Sequence, residues 1–132
     1  MADSSLQARG NAIFQSNTVD LSAARGLLLK TTAGVLAVND SATVPATHVV
    51  LDGAAVGKIS SVGTLGGLPG PVLVKLGGTV PAFSRIIQQN DGTVIVDPGA
   101  GTARVVVGCL GEQGGVVGDF VPATLFAPVI QP

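Results

Sequence analysis

A chain of 132 residues fits a single domain, and folding at this size hides about two thirds of the unfolded surface, enough for one core without a metal or a disulfide. Charged residues make up 11% of it and the net charge is -1, against roughly 25% charged in an ordinary soluble domain. The seven basic residues are scattered, no two adjacent, and there is no Trp or Tyr, which excludes an electrostatic footprint or a stacking platform for nucleic acid.

The mean hydropathy is +0.57, carried by Val, Ala, Leu and Ile and diluted by 19 Gly and 8 Pro. A small body with so little charge is poorly protected against association, so either partners or copies of itself cover much of the surface, or it is a tightly packed monomer; solubility favours the first. The single Cys forms no intrachain bridge. No apolar run reaches membrane-spanning length, since Lys58 and Lys75 interrupt the best candidates. Met1 to Phe14 lacks a basic stretch followed by an apolar one, so no secretory signal is expected and a cytoplasmic setting, or an assembly built there, is.

In chain order, residues 1–17 read as an extended arm, because Gly10-Asn11 breaks any helix and Leu6, Ile13 and Phe14 are its sizeable apolar groups besides Met1. Such an arm is disordered, lies on a neighbour or docks on its own core. Asp20 to Gly26 allows one helical turn. Strands are expected from Gly26 to Thr32, Val35 to Val38 and His48 to Leu51, with a turn at Ala33-Gly34 and a loop at Asn39 to Ser41. Val56 to Val62 reads as a weak or edge strand, with Ile59 and the valines as its core candidates. Gly63 to Gly70 reads as loop. Further strands follow over Val72 to Leu76, Ser84 to Gln88 and Thr93 to Val96, with Asn90-Asp91-Gly92 a strong turn signal.

Ala103 to Phe126 organises the rest. Val105 to Val107 runs up, Gly111 to Gly115 turns, Val116-Val117 and Phe120-Val121 return, and Pro122 is expected to stop the run. Pro122, Pro128 and Pro132 are expected to keep the tail out of a central strand. Thr43-Val44-Pro45-Ala46 echoes Thr79-Val80-Pro81-Ala82, as a repeated barrel corner would, although these residue types are abundant enough for chance. The fold class expected is all-β: a small antiparallel barrel or sandwich of about nine or ten short strands, one β-domain over residues 18–132, preceded by the arm.

Catalytic chemistry is sparse. His48 is the only His, with Asp40 and Asp52 near it in sequence, yet no Gly-x-Ser-x-Gly elbow appears, so a strand-edge or interface histidine is the better reading. Cys109 with one His makes no zinc set and reads as a small hydrophobe in a buried strand. The nearest cation in sequence, Arg104, is five residues from it. The glycine-rich stretches at Gly63 to Gly67 and Gly111 to Gly115 lack a P-loop ending. Asp52, Asp91, Asp97 and Asp119 read as turn-formers. No enzyme activity, cofactor or metal is expected.

Several segments together carry a family resemblance: His48-Val49-Val50-Leu51-Asp52-Gly53-Ala54-Ala55-Val56-Gly57, Val72-Leu73-Val74-Lys75-Leu76-Gly77-Gly78-Thr79-Val80, Asp91-Gly92-Thr93-Val94, Arg104-Val105-Val106-Val107-Gly108 and Gly118-Asp119-Phe120-Val121. In this order and spacing, roughly over residues 20 to 126, the chain resembles the small capsid decoration, or structural cement, proteins of tailed bacteriophages. It departs from them at Pro81-Ala82-Phe83, where family members often carry Ala-Gly-Asp or similar.

The resemblance implies a non-enzymatic virion protein on the outer capsid surface, made in the host cytoplasm. It would clamp neighbouring major capsid protein subunits, often as a homotrimer or other small homo-oligomer, with no nucleic-acid or membrane partner. Leu6, Arg9, Ile13 and Phe14 of the arm are then the expected capsid or inter-subunit contacts. The alternatives are another phage structural component (tail-tube, head-fibre base or minor shell protein), a carbohydrate- or ligand-binding β-domain, disfavoured by the lack of Trp and Tyr, and a hydrolase using His48.

Overall fold

The structure is a computed structural model that describes residues 12–16, as backbone, and residues 18–132. They form ten strands in chain order: β1 (Ala12–Ser16), β2 (Leu28–Thr32), β3 (Val35–Val38), β4 (His48–Asp52), β5 (Ile59–Thr64), β6 (Val72–Lys75), β7 (Arg85–Gln88), β8 (Val94–Val96), β9 (Arg104–Leu110) and β10 (Phe120–Gln131). Two five-stranded sheets result, with orders β1-β5-β4-β2-β3 and β6-β10-β9-β7-β8. Every pairing inside them is antiparallel. The chain is therefore all-β, with the first sheet built from its first half and the second from its second half.

Turn chemistry sets the local register. Ala33 and Gly34 close the β2–β3 hairpin with φ of 51° and 79°, the doubly left-handed loop whose twist matches that of the strands. Asp91 accepts hydrogen bonds from the Thr93 amide (3.1 Å) and hydroxyl (2.6 Å), holding the β7–β8 turn.

The core explains the paired leucines and valines. Leu28 and Val49 face the second sheet and meet Val74, Ile86, Val105, Val107 and Val121. Their neighbours Leu29 and Val50 point to the opposite face, where they pack with Leu36, Val62, Leu21 and Ala24. The first sheet is thus buried on both faces, and the segment around Leu21–Ala24 is its outer cover. That is why its strands lack the clean alternation of a half-exposed sheet. Gly108 on β9 is compelled by close approach, since a Cβ there would collide with the Thr124 carbonyl.

Several expectations are corrected. β10 does not stop at Pro122; it runs to Gln131 and lies between β6 and β9 as a central strand. Both prolines sit where no ladder bond is lost. The β9 ladder begins only at Ala123, opposite Leu110, so the missing N–H of Pro122 faces past the end of β9. Pro128 lies in the register shift between Leu125 and Val129. The segment read as a weak or edge strand is interior: β5 sits between β1 and β4, with Ser60 to Gly63 buried and Ile59 exposed. The strand also extends to Thr64, into the stretch read as loop. The Thr-Val-Pro-Ala echo is not a repeated corner, because Val44 is 55% exposed and Val80 1%.

Candidate functional site

Of the arm residues singled out as contacts, Leu6 and Arg9 lie outside the described residues. Ile13 and Phe14 stand on β1, whose backbone pairs with β5 at Val62 and Ser61. The five residues of β1 thus lie along the chain's own first sheet.

His48 is half-buried on β4, opposite Leu29 and Thr64 in register. Its Nδ1 shares a hydrogen bond with the Thr47 hydroxyl at 2.7 Å, and burial pushes the imidazole pKa below its ordinary value. The fold does not bring the neighbouring carboxylates to it: Asp40 is ion-paired with Lys30, and Asp52 ends β4 opposite Ser61. The Cys109 thiol is free and half-buried, on a strand whose other residues are all buried. Arg85, not Arg104, is the cation placed across from it, one strand over on β7.

Two polar ties had no local signal in the sequence. Gln88 is 1% exposed and Asn39 0%. The Gln88 carboxamide accepts from the Ala46 amide (2.9 Å) and donates to the Ser41 and Val44 carbonyls (both 2.7 Å). Asn39 donates to the carbonyls of Ser41 (2.7 Å) and Gln89 (3.0 Å). Together they clamp the β3–β4 connection of the first sheet to β7 of the second. The other tie is charged. Arg104 forms an ion pair with Asp97 through Nε and donates from Nη1 to the carbonyls of Thr102 (3.2 Å) and Pro132 (2.9 Å). Arg85 stands 3.7 Å from the other Asp97 oxygen. Burial raises the Asp97 pKa, but the Gly99 amide, the Arg104 hydrogen bond and the charges of Arg104 and Arg85 outweigh it and hold the carboxyl below its ordinary value. Asp97 and Asp119 both brace turns as expected, accepting from the amides of Gly99 (3.0 Å) and Val116 (2.9 Å).

Of the ten exposed large apolar residues among the described residues, four, Phe83, Val116, Val117 and Phe120, lie at one end of the second sheet, while Val44, Val56, Ile59, Val96, Val129 and Ile130 lie elsewhere. Phe83 is 71% exposed and its N–H bonds to Gly111 at the base of the β9–β10 loop. Val116 and Val117 on that loop are 53% and 68% exposed, and Phe120 just after it 44%. Val80 and Gly115 exchange backbone hydrogen bonds and dock the two loops side by side. Phe83 holds φ of 62°, a left-handed conformation that costs a non-glycine residue about 1–2 kcal/mol. This strained aromatic follows directly on Pro81-Ala82.

Among the described residues no group of three or more His, Cys, Asp or Glu could hold a metal ion, and no helix is long and apolar enough to cross a membrane. Two adjoining hollows of about 220 and 340 Å³ lie between β4 and β6, sharing Leu51, Pro71 and Val72. In comparison with known proteins, no protein-family model, no curated protein and no solved structure matches the chain.

Proposed function

We propose that this chain is a non-enzymatic structural protein of a tailed-phage virion, which binds the outer capsid surface and cements neighbouring major capsid protein subunits, itself as a small oligomer such as a trimer. The observation that carries the reading is the apolar end of the second sheet. Phe83, Val116 and Val117 are large, uncharged and exposed on two loops docked together, with Phe120 at the start of β10 beside them in sequence. Large exposed apolar side chains on neighbouring loops suit a contact site, and the low charge of the whole chain suits flush packing between subunits. Cementing needs no chemistry. A protein that binds the assembled shell better than its separated subunits stabilises the shell by mass action, and many modest contacts on a fixed lattice add through effective concentration. Leu6, Arg9, Ile13 and Phe14 remain the proposed contacts, Ile13 and Phe14 from β1 at the edge of the first sheet and Leu6 and Arg9 from the segment before it.

The test is co-sedimentation of the purified protein with capsids lacking it, followed by heating. Saturable binding at a stoichiometry matching the shell lattice, with a raised disruption temperature, is expected. Val117→Asp with Val116→Asp should leave a folded protein that binds at least tenfold more weakly. A protein that fails to bind either emptied or expanded shells is not a capsid cement.

A further inference from the structure

Gly26 joins the two sheets. Its N–H donates to the Val50 carbonyl on β4 and its own carbonyl accepts from the Lys75 N–H on β6, both at 3.0 Å. The residue has φ of +77°, and the Phe120 ring lies 3.0 Å from where a Cβ would stand, so only glycine fits this bridge. One residue earlier, at Arg25, the bridge ends and the hollow opens. Its walls are Val50 and Leu51 of β4 and Val72 and Leu73 of β6, with Leu68, Pro69 and Pro71 continuing it.

β6 is an edge strand of the second sheet. The Lys75 N–H points away from β10, toward Gly26. In an antiparallel strand, residues two apart direct their backbone groups to the same side, so the N–H and C=O of Leu73 also point away from β10, into the hollow. No described residue bonds them there. Opposite, Pro122 has no N–H to offer Leu73, which accords with this alternation. Arg25 at the mouth is exposed and has no ion-pair partner among the described residues. The hollow therefore combines an open strand edge, apolar walls and one unpaired cation.

We propose that this slot binds an extended peptide segment of a partner protein, added edge-on to β6 at Leu73, with an apolar side chain over Leu51 and Val72 and a carboxylate at Arg25. Backbone bonding to an open edge gives affinity and the flanking hollows give side-chain selection. The unpaired Arg25 sets the sign of the charge the segment carries. The hollow adjoins Phe120 through Gly26 but shares no lining residue with the apolar end, so peptide binding at Leu73 and Arg25 is read separately from capsid binding.

The test uses the full chain, ¹⁵N-labelled, and an acetylated, amidated pentapeptide of sequence Val-Glu-Val-Thr-Val, with a second in which Lys replaces Glu. Saturable shifts at the Leu73 and Arg25 amides, with slowed exchange of the Leu73 amide, are expected for the Glu peptide. Arg25→Glu should weaken that peptide about fivefold, the upper range for one exposed ion pair, and should favour the Lys peptide. The proposal is overturned if neither amide responds, if both peptides bind the wild type equally, or if the Leu73 amide is already protected in the free protein, which would mean that this chain fills the slot itself.

Discussion

Gln88 and Arg104 are both buried, and both reach across the fold to backbone carbonyls far away in sequence, but one is neutral and the other charged. Gln88 bonds Val44 and Ser41 from 44 and 47 residues away. Arg104 bonds Pro132 across 28 residues and neutralises Asp97. A neutral carboxamide with three partners loses little beyond its own hydrogen bonds and is indifferent to pH. A buried guanidinium is tolerable only while its carboxylate stays ionised beside it. The two ties thus make the β3–β4 connection constitutively fixed and the end of the second sheet conditionally so.

The comparison breaks most sharply by removing one charge. Arg104→Ala removes the buried partner of Asp97 and leaves it only the half-exposed Arg85 and the Gly99 amide, and should cost about 3 kcal/mol in urea unfolding. Replacing both partners by leucine should cost much less, because no buried charge remains. A smaller loss separates the neutral tie: Gln88→Leu takes the partner from the Ala46 amide and the Val44 carbonyl, while the Ser41 carbonyl keeps Asn39, and should cost about 2 kcal/mol.

Acid should sharpen the contrast further. Asp97 has its folded pKa depressed below 3.8, so its contribution is complete above that value and is lost as pH falls through the lower folded one. Asp97→Asn should flatten that part of the profile, whereas Gln88→Leu should lower stability equally at every pH. His48 acts in an earlier window. Its pKa is lowered from 6.5, so the unfolded chain takes the proton first and stability declines as pH drops below 6.5; His48→Asn should remove that decline alone. The smallest effect is expected at a site outside both ties. Phe83→Gly relieves a left-handed φ at an exposed side chain and should raise stability by about 1 kcal/mol, while weakening capsid binding if the apolar end is the contact.

Where a local signal was strong, the fold was legible. Ala33-Gly34 and Asn90-Asp91-Gly92 marked hairpins because a turn's backbone demands are written in adjacent residues. Pro122 was misleading because its effect depends on where β9 ends, which no residue near Pro122 records. Ser60 and Ser61 hid an interior strand, since their burial comes from strands on both sides rather than from their own polarity. Val44 and Val80 share a tetrapeptide but meet different neighbours. The ties of Gln88, Asn39 and Arg104 were invisible for the same reason: polar residues in β runs become partners only after distant segments meet. The apolar end was not legible, because neither the exposure of Phe83, Val116 and Val117 nor the left-handed Phe83 is written in the residues beside them.

The position of β10 bears on how the protein is made. On a ribosome β6, β7, β8 and β9 emerge before the strand that must lie between two of them. Until it arrives, β6 and β9 both present unpaired edges, one of them the valine-rich Arg104–Leu110. The second sheet is therefore most adhesive just before its synthesis is complete, and a stalled or clipped chain lacking residues 120–131 would be an aggregation seed rather than a smaller version of the fold.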